Sequence, residues 1–119
     1  NLEDTVEEGE LESTEVKKLL TKYLKRIKDS SADCLVLGCT HYPFLKKTIR
    51  KVMGRPIKLI DGNLAIAKQT SYLLSNNFLV NIQRKMGKTL YFTTGDPIKF
   101  SKVASKLLRK KIKAKRIEI

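Results

Sequence analysis

The stretch CLVLGCTHYPFL, residues 34–45, constrains the fold more than any other part of the chain. Cys34 to Gly38 is short and nearly all apolar, the pattern of a strand covered on both faces in a parallel sheet. A helix is expected from about Phe44 to Val52, with Pro43 in its first turn and Gly54 after its end. The pattern then repeats. IKLI at 57–60 predicts a second strand, Asp61-Gly62 a turn, and about Leu64 to Leu74 a helix. TLYFTT at 89–94 predicts a third strand, and Gly95-Asp96-Pro97 opens a helix carrying Phe100, Val103, Ala104, Leu107 and Leu108. RIEI at 116–119 reads as an edge strand and FLVNI at 78–82 as a short extended piece. Residues 75–88 are otherwise polar and irregular, with Gly87 marking a turn. Upstream, Val16, Leu19, Leu20, Tyr23, Leu24 and Ile27 draw one apolar stripe at helical spacing over 14–28. Ser13 or Thr14 is positioned to cap that helix, and Asp29-Ser30-Ser31 to turn the chain at its end. Alternating helix and strand make the expected fold α/β, with Rossmann-like layers on a parallel sheet.

The sheet makes the residues after Gly38 the place to look for chemistry. Ligands of open α/β sheets gather beyond the carboxyl ends of the strands. Cys39 stands there, followed by Thr40 and by His41, the one histidine of the chain. Gly38 would let the backbone of a neighbour approach closely. The N-terminus of the next helix would favour a thiolate or a bound carboxylate. A thiolate beside an imidazole is a working acid–base pair. Cys34, mid-strand among Leu and Val, reads instead as a small buried hydrophobe. At about 3.3 Å per residue with alternating faces, the two sulfurs point oppositely and stand about 16 Å apart, beyond disulfide reach. One histidine and two divergent thiols do not make a zinc ligand set, so no metal is expected.

Composition bounds the remaining readings. At 119 residues, 41% hydrophobic and 31% charged, the chain can bury a modest core. It has no apolar run near the roughly 20 residues of a membrane span, and its acidic opening is unlike a secretory leader, so a cytoplasmic location is expected. The opening on Asn1 without a methionine suggests a piece of a longer polypeptide or a processed product. The net charge is +13, and from Arg84 to Arg116 twelve Lys or Arg face one acid, Asp96. Such a cluster suits nucleic acid. No recognised nucleic-acid module accompanies it, so it reads as a solvated face, and neither nucleic acid nor a membrane is the expected partner.

GCTHYP at 38–43, preceded by an apolar strand and followed by a helix, resembles the second catalytic-cysteine motif of the glutamate racemases, within the aspartate/glutamate racemase family. VEEG at 6–9 resembles the acidic motif upstream of it, LIDG at 59–62 the strand and turn after it, and TTGDPIKF at 93–100 the C-terminal strand and helix. Aspartate racemases usually carry glutamate where this chain has His41. The resemblance implies interconversion of L- and D-glutamate for peptidoglycan synthesis, without cofactor or metal, by two cysteines on opposite faces of the substrate. It makes Cys39 one acid–base group, His41 its assisting residue and a substrate contact, and Thr40 a substrate-binding residue. Glu7 becomes the assisting acid. The family usually has proline and leucine before the valine, where this chain has Asp4-Thr5, so Glu8 is the alternative match.

The family's aspartate–serine motif and its first cysteine motif, cysteine–asparagine–threonine, are absent from the sequence. The resemblance is therefore to the C-terminal portion of a two-domain fold. Residues 1–60 would close one α/β domain and residues 61–119 would return to the other. Expected partners are glutamate, the N-terminal half of the enzyme and, as in many family members, a second copy. Strands without their neighbours would expose edges and apolar faces. Alone, the chain is expected to be inactive. Two readings compete: a stand-alone basic remnant that binds nucleic acid, and a different thiol enzyme using Cys39 and His41 as nucleophile and base.

Overall fold

A computed structural model describes residues 1–83 and 86–119. Arg84 and Lys85, the first members of the basic stretch, lie outside the described residues. The chain opens with a short helix, α1 (Leu2–Glu7), for which the sequence shows too little periodicity to predict it. The Asn1 side chain accepts from the Asp4 amide in a capping box, and Leu2, Thr5 and Val6 form its buried stripe. Gly9, at φ +76°, lets the chain turn out of α1, and a Cβ there would press on the Lys106 side chain at 3.2 Å. Helix α2 (Thr14–Lys28) has the bounds its stripe predicts, with Ser13 as the cap. Val16, Leu20 and Leu24 are buried, whereas Tyr23 is half exposed.

Strand β1 (Cys34–Val36) pairs in parallel with β2 (Lys58–Ile60), Leu35 opposite Leu59. Between them the expected single helix is divided into a 3₁₀ turn, Tyr42–Leu45, and helix α3 (Lys46–Met53). Pro43 enters the tight turn, and Gly54, at φ +66°, ends α3 in the left-handed conformation. Leu45, Ile49 and Met53 are almost wholly buried against Leu2, Val6, Val16 and Leu20, which makes one core under β1 and β2. The expectation of a strand covered on both faces is corrected. Val36 is 67% exposed and Ile60 39%, so the far face of this two-stranded sheet is open.

The second half of the chain repeats the plan. Helix α4 (Asn63–Asn76) is longer than predicted and buries none of its residues. Phe78, at φ +57°, leads out of it, and 78–82 forms no strand, contrary to the extended piece expected there. Nor, among the described residues, is there a turn at Gly87. Strand β3 (Tyr91–Thr93), helix α5 (Pro97–Leu108) and strand β4 (Ala114–Arg116) form a second parallel pair. Asp96 caps α5 by accepting from the amides of Ile98 and Lys99 at 2.7 and 3.2 Å. Strand β4 starts two residues before the expected edge strand. The hydroxyls of Ser101 and Ser105 accept from the amides of Ala114 and Ile112, both at 2.9 Å, and fix that register, which apolar pattern alone does not reveal. Among the described residues no helix is long and apolar enough to cross a membrane.

Candidate functional site

The loop after β1 and the exposed face of α1 meet. Residues 3 and 7 lie one turn apart on a helix, so both carboxylates point the same way, toward residues 39–42. His41 Nε2 lies 3.2 Å from Glu7 Oε1, and His41 Nδ1 lies 3.6 Å from Cys39 Sγ. A carboxylate only accepts, so in the neutral ring the proton sits on Nε2 and Nδ1 is left as acceptor for the Cys39 thiol. The Thr40 hydroxyl reaches the same Nδ1 at 3.5 Å. Cys39, His41, Glu7 and Thr40 are thus brought together. Of the two acids open as matches, it is Glu7 that meets His41, and Glu8 caps the end of α1.

Two further residues complete the cluster. Tyr42 donates its hydroxyl to Glu3 Oε1 at 2.6 Å, and the Cys39 thiol approaches that oxygen at 3.9 Å. The hydrogen bond from Tyr42 holds the Glu3 carboxyl below its ordinary range. In return, the bond to Glu3, with partial burial, pushes the Tyr42 phenol up to about 12. The sequence signal for Glu3 is its four-residue spacing from Glu7, which has meaning only once α1 is known to be helical.

Two expectations about this loop are corrected. The α-helix proper begins at Lys46, after the 3₁₀ turn, so its free amides do not directly follow Cys39. A Cβ on Gly38 would meet nothing within 4 Å, so the close backbone approach expected there is not made within this chain. Cys34 lies half-buried in β1, and both cysteines are free thiols. Thr40, His41 and Glu7 open on a cavity of about 580 Å³. Its far wall is α5, with Lys99, Phe100 and Val103, while Cys39 sits outside its lining, between His41 and Glu3. Asp61, in the turn after β2, pairs with Lys46 and accepts from the Asn63 amide at 2.9 Å. Both contacts lower its carboxyl, which joins α3 to the start of α4.

Residues 1–70, more than half the chain, match the Asp/Glu/hydantoin racemase family. The chain belongs to that family. It is 39% identical over 102 residues to a glutamate racemase of Herpetosiphon aurantiacus, covering 86% of this chain and 40% of that protein. It is 40% identical over 92 residues to one of Deinococcus radiodurans, 77% of this chain and 32% of that protein. Among solved structures, a glutamate racemase of Francisella tularensis in complex with D-glutamate superposes with a TM-score of 0.81 at 30% identity, over 98% of this chain and 44% of that one. A Bacillus anthracis isoform gives 0.81 at 26% identity, over 98% and 43%. The chain thus spans about two fifths of the curated relatives it matches. The racemase family membership lends no support to the nucleic-acid reading of the basic stretch.

Proposed function

We propose that this chain supplies one of the two acid–base thiols of a glutamate racemase, and that the opposing thiol comes from a part of the enzyme outside this chain. The observation that carries the reading is the line Cys39–His41–Glu7, with contacts of 3.6 and 3.2 Å, at the carboxyl end of a parallel strand. In this reading Cys39 works on one face of the α-carbon. As a thiolate it takes the α-proton: the S–H bond forms while the Cα–H bond breaks, and the electron pair passes toward the substrate carboxylate. The opposite thiol then gives a proton to the other face. In the reverse direction Cys39 is the donor. His41 accepts the Cys39 proton on Nδ1, and the Glu7 carboxylate stabilises the imidazolium that results. Thr40 binds the substrate through its hydroxyl or amide, and the open space at Gly38 leaves room for the amino acid beside the sulfur. The α-proton is a very weak acid, so the reaction requires charge stabilisation and exclusion of water in a closed site.

A single thiol cannot serve both faces, and Cys34 lies back in β1. The chain alone therefore leaves glutamate unchanged. Residues 1–60 belong to one domain of the whole enzyme and 61–119 to the other, and the product serves peptidoglycan synthesis in the cytoplasm. The test is to mix the chain with the N-terminal three fifths of the Herpetosiphon aurantiacus glutamate racemase and assay D-glutamate formed from L-glutamate. The mixture is expected to produce D-glutamate, and each part alone is not. Production by the chain alone, or a mixture indifferent to Cys39→Ser, would overturn the proposal.

A further inference from the structure

The line from Glu7 through His41 to Cys39 leaves one contact of the sulfur unused. On the side away from the imidazole, Cys39 Sγ lies 3.9 Å from Glu3 Oε1, and that same oxygen takes the Tyr42 hydroxyl at 2.6 Å. A carboxylate this close offers the thiol proton a second acceptor and sets a negative charge against a sulfur anion. The short bond from Tyr42 spreads part of that charge, so one oxygen is shared between a firm donor and a weak one. Glu3 is only partly exposed, and Leu2 and Val6 on either side of it are buried, which fixes where its carboxylate sits. The other groups facing this cluster are Asp4 on α1, His41 with Glu7 behind it, and Tyr23 of α2 beside Tyr42.

We infer that Glu3 is a positioning residue for Cys39: its carboxylate, whose charge the Tyr42 hydroxyl partly draws off, holds the thiol turned between α1 and His41 and disfavours a sulfur anion there. The inference takes its meaning from the acid–base role proposed for Cys39, but its test reads the sulfur alone and needs no racemase activity.

Both cysteines fall between the same two lysines, so the full chain is prepared with Cys34→Ala to leave Cys39 as the single thiol. The rate of its alkylation by iodoacetamide and the ultraviolet absorbance of its thiolate are followed at about pH 7.5. Glu3→Gln keeps the size of the side chain and an acceptor for Tyr42 while removing the charge. It is expected to alkylate Cys39 about fivefold faster or more, with a matching rise in thiolate absorbance. Tyr42→Phe leaves the full carboxylate charge to the sulfur and is expected to alkylate no faster than its parent. Loosened packing would speed both variants, so acceleration of both overturns the inference, as does an unchanged or slower Glu3→Gln. If circular dichroism shows that Glu3→Gln is unfolded, Tyr42→Phe decides alone: slower alkylation supports the inference and faster alkylation overturns it.

Discussion

Thr48→Val isolates one hydrogen bond that keeps the carboxylates of Glu3 and Glu7 in place. Thr48 is 1% exposed in α3, and its hydroxyl donates to the Leu11 carbonyl at 2.6 Å. Leu11 lies in the segment between α1 and α2, so this bond fastens the end of α1, with Glu3 and Glu7, to the layer below the site. Valine keeps the β-branched shape but has no donor, which leaves the carbonyl without its partner. An orphaned buried acceptor costs about 1–3 kcal/mol. Because Leu11 is only partly buried and water can replace some of the loss, the expected cost is about 1–2 kcal/mol. With a urea slope of about 2 kcal/mol/M, the middle of the range for a small domain, the unfolding midpoint should fall by about 0.5–1 M at unchanged slope. Far-ultraviolet circular dichroism across a urea series measures it. A midpoint within about 0.2 M of the parent would show that the bond does not anchor this segment.

Leu45→Ala removes a fully buried side chain from the end of the 3₁₀ turn that carries Tyr42, and the transfer and cavity losses together should cost about 3 kcal/mol or more in the same urea assay. Asp96→Ala removes the cap of α5 and should cost about 1 kcal/mol, read from the same transition. Lys47 and Lys51 hold the Glu12 carboxyl at about 2, against an ordinary 4.5. A carboxyl lowered in the folded state gives stability that is complete above its unfolded value and lost as the pH falls through the folded one. Thermal midpoints of the parent should therefore decline from pH 4.5 toward 2, and those of Glu12→Gln should decline less over that window.

The sequence makes α2 legible because six apolar residues keep helical register over about three turns with a serine cap in front. Punctuation did the same for α3 and α5, where Pro43, Gly54 and Asp96 act through backbone geometry that no distant contact overrides. What stayed illegible depends on distant contacts. Helix α1 has one turn and a half, too short for a periodic signal, and its burial comes from α2 and the 3₁₀ turn rather than from its own pattern. The apolar pattern places strand β4 two residues late because Ser101 and Ser105, whose hydroxyls set its register, belong to α5. The open face at Val36 and Ile60 runs against an apolar pattern that suits cover on both sides. In the site, the motif identified Cys39, Thr40 and His41 as neighbours in sequence. The choice of Glu7 over Glu8, and the presence of Glu3, required the helical face of α1.

The central claim is that Cys39 exchanges a proton with one face of the glutamate α-carbon. The most direct test follows the α-proton of L-glutamate in deuterium oxide by NMR, using the chain together with the N-terminal part of a related racemase. The account predicts D-glutamate carrying solvent deuterium at the α-carbon, and no conversion to the D-enantiomer when Cys39 is replaced by serine. Unimpaired formation of deuterated D-glutamate by the Cys39→Ser mixture would contradict it.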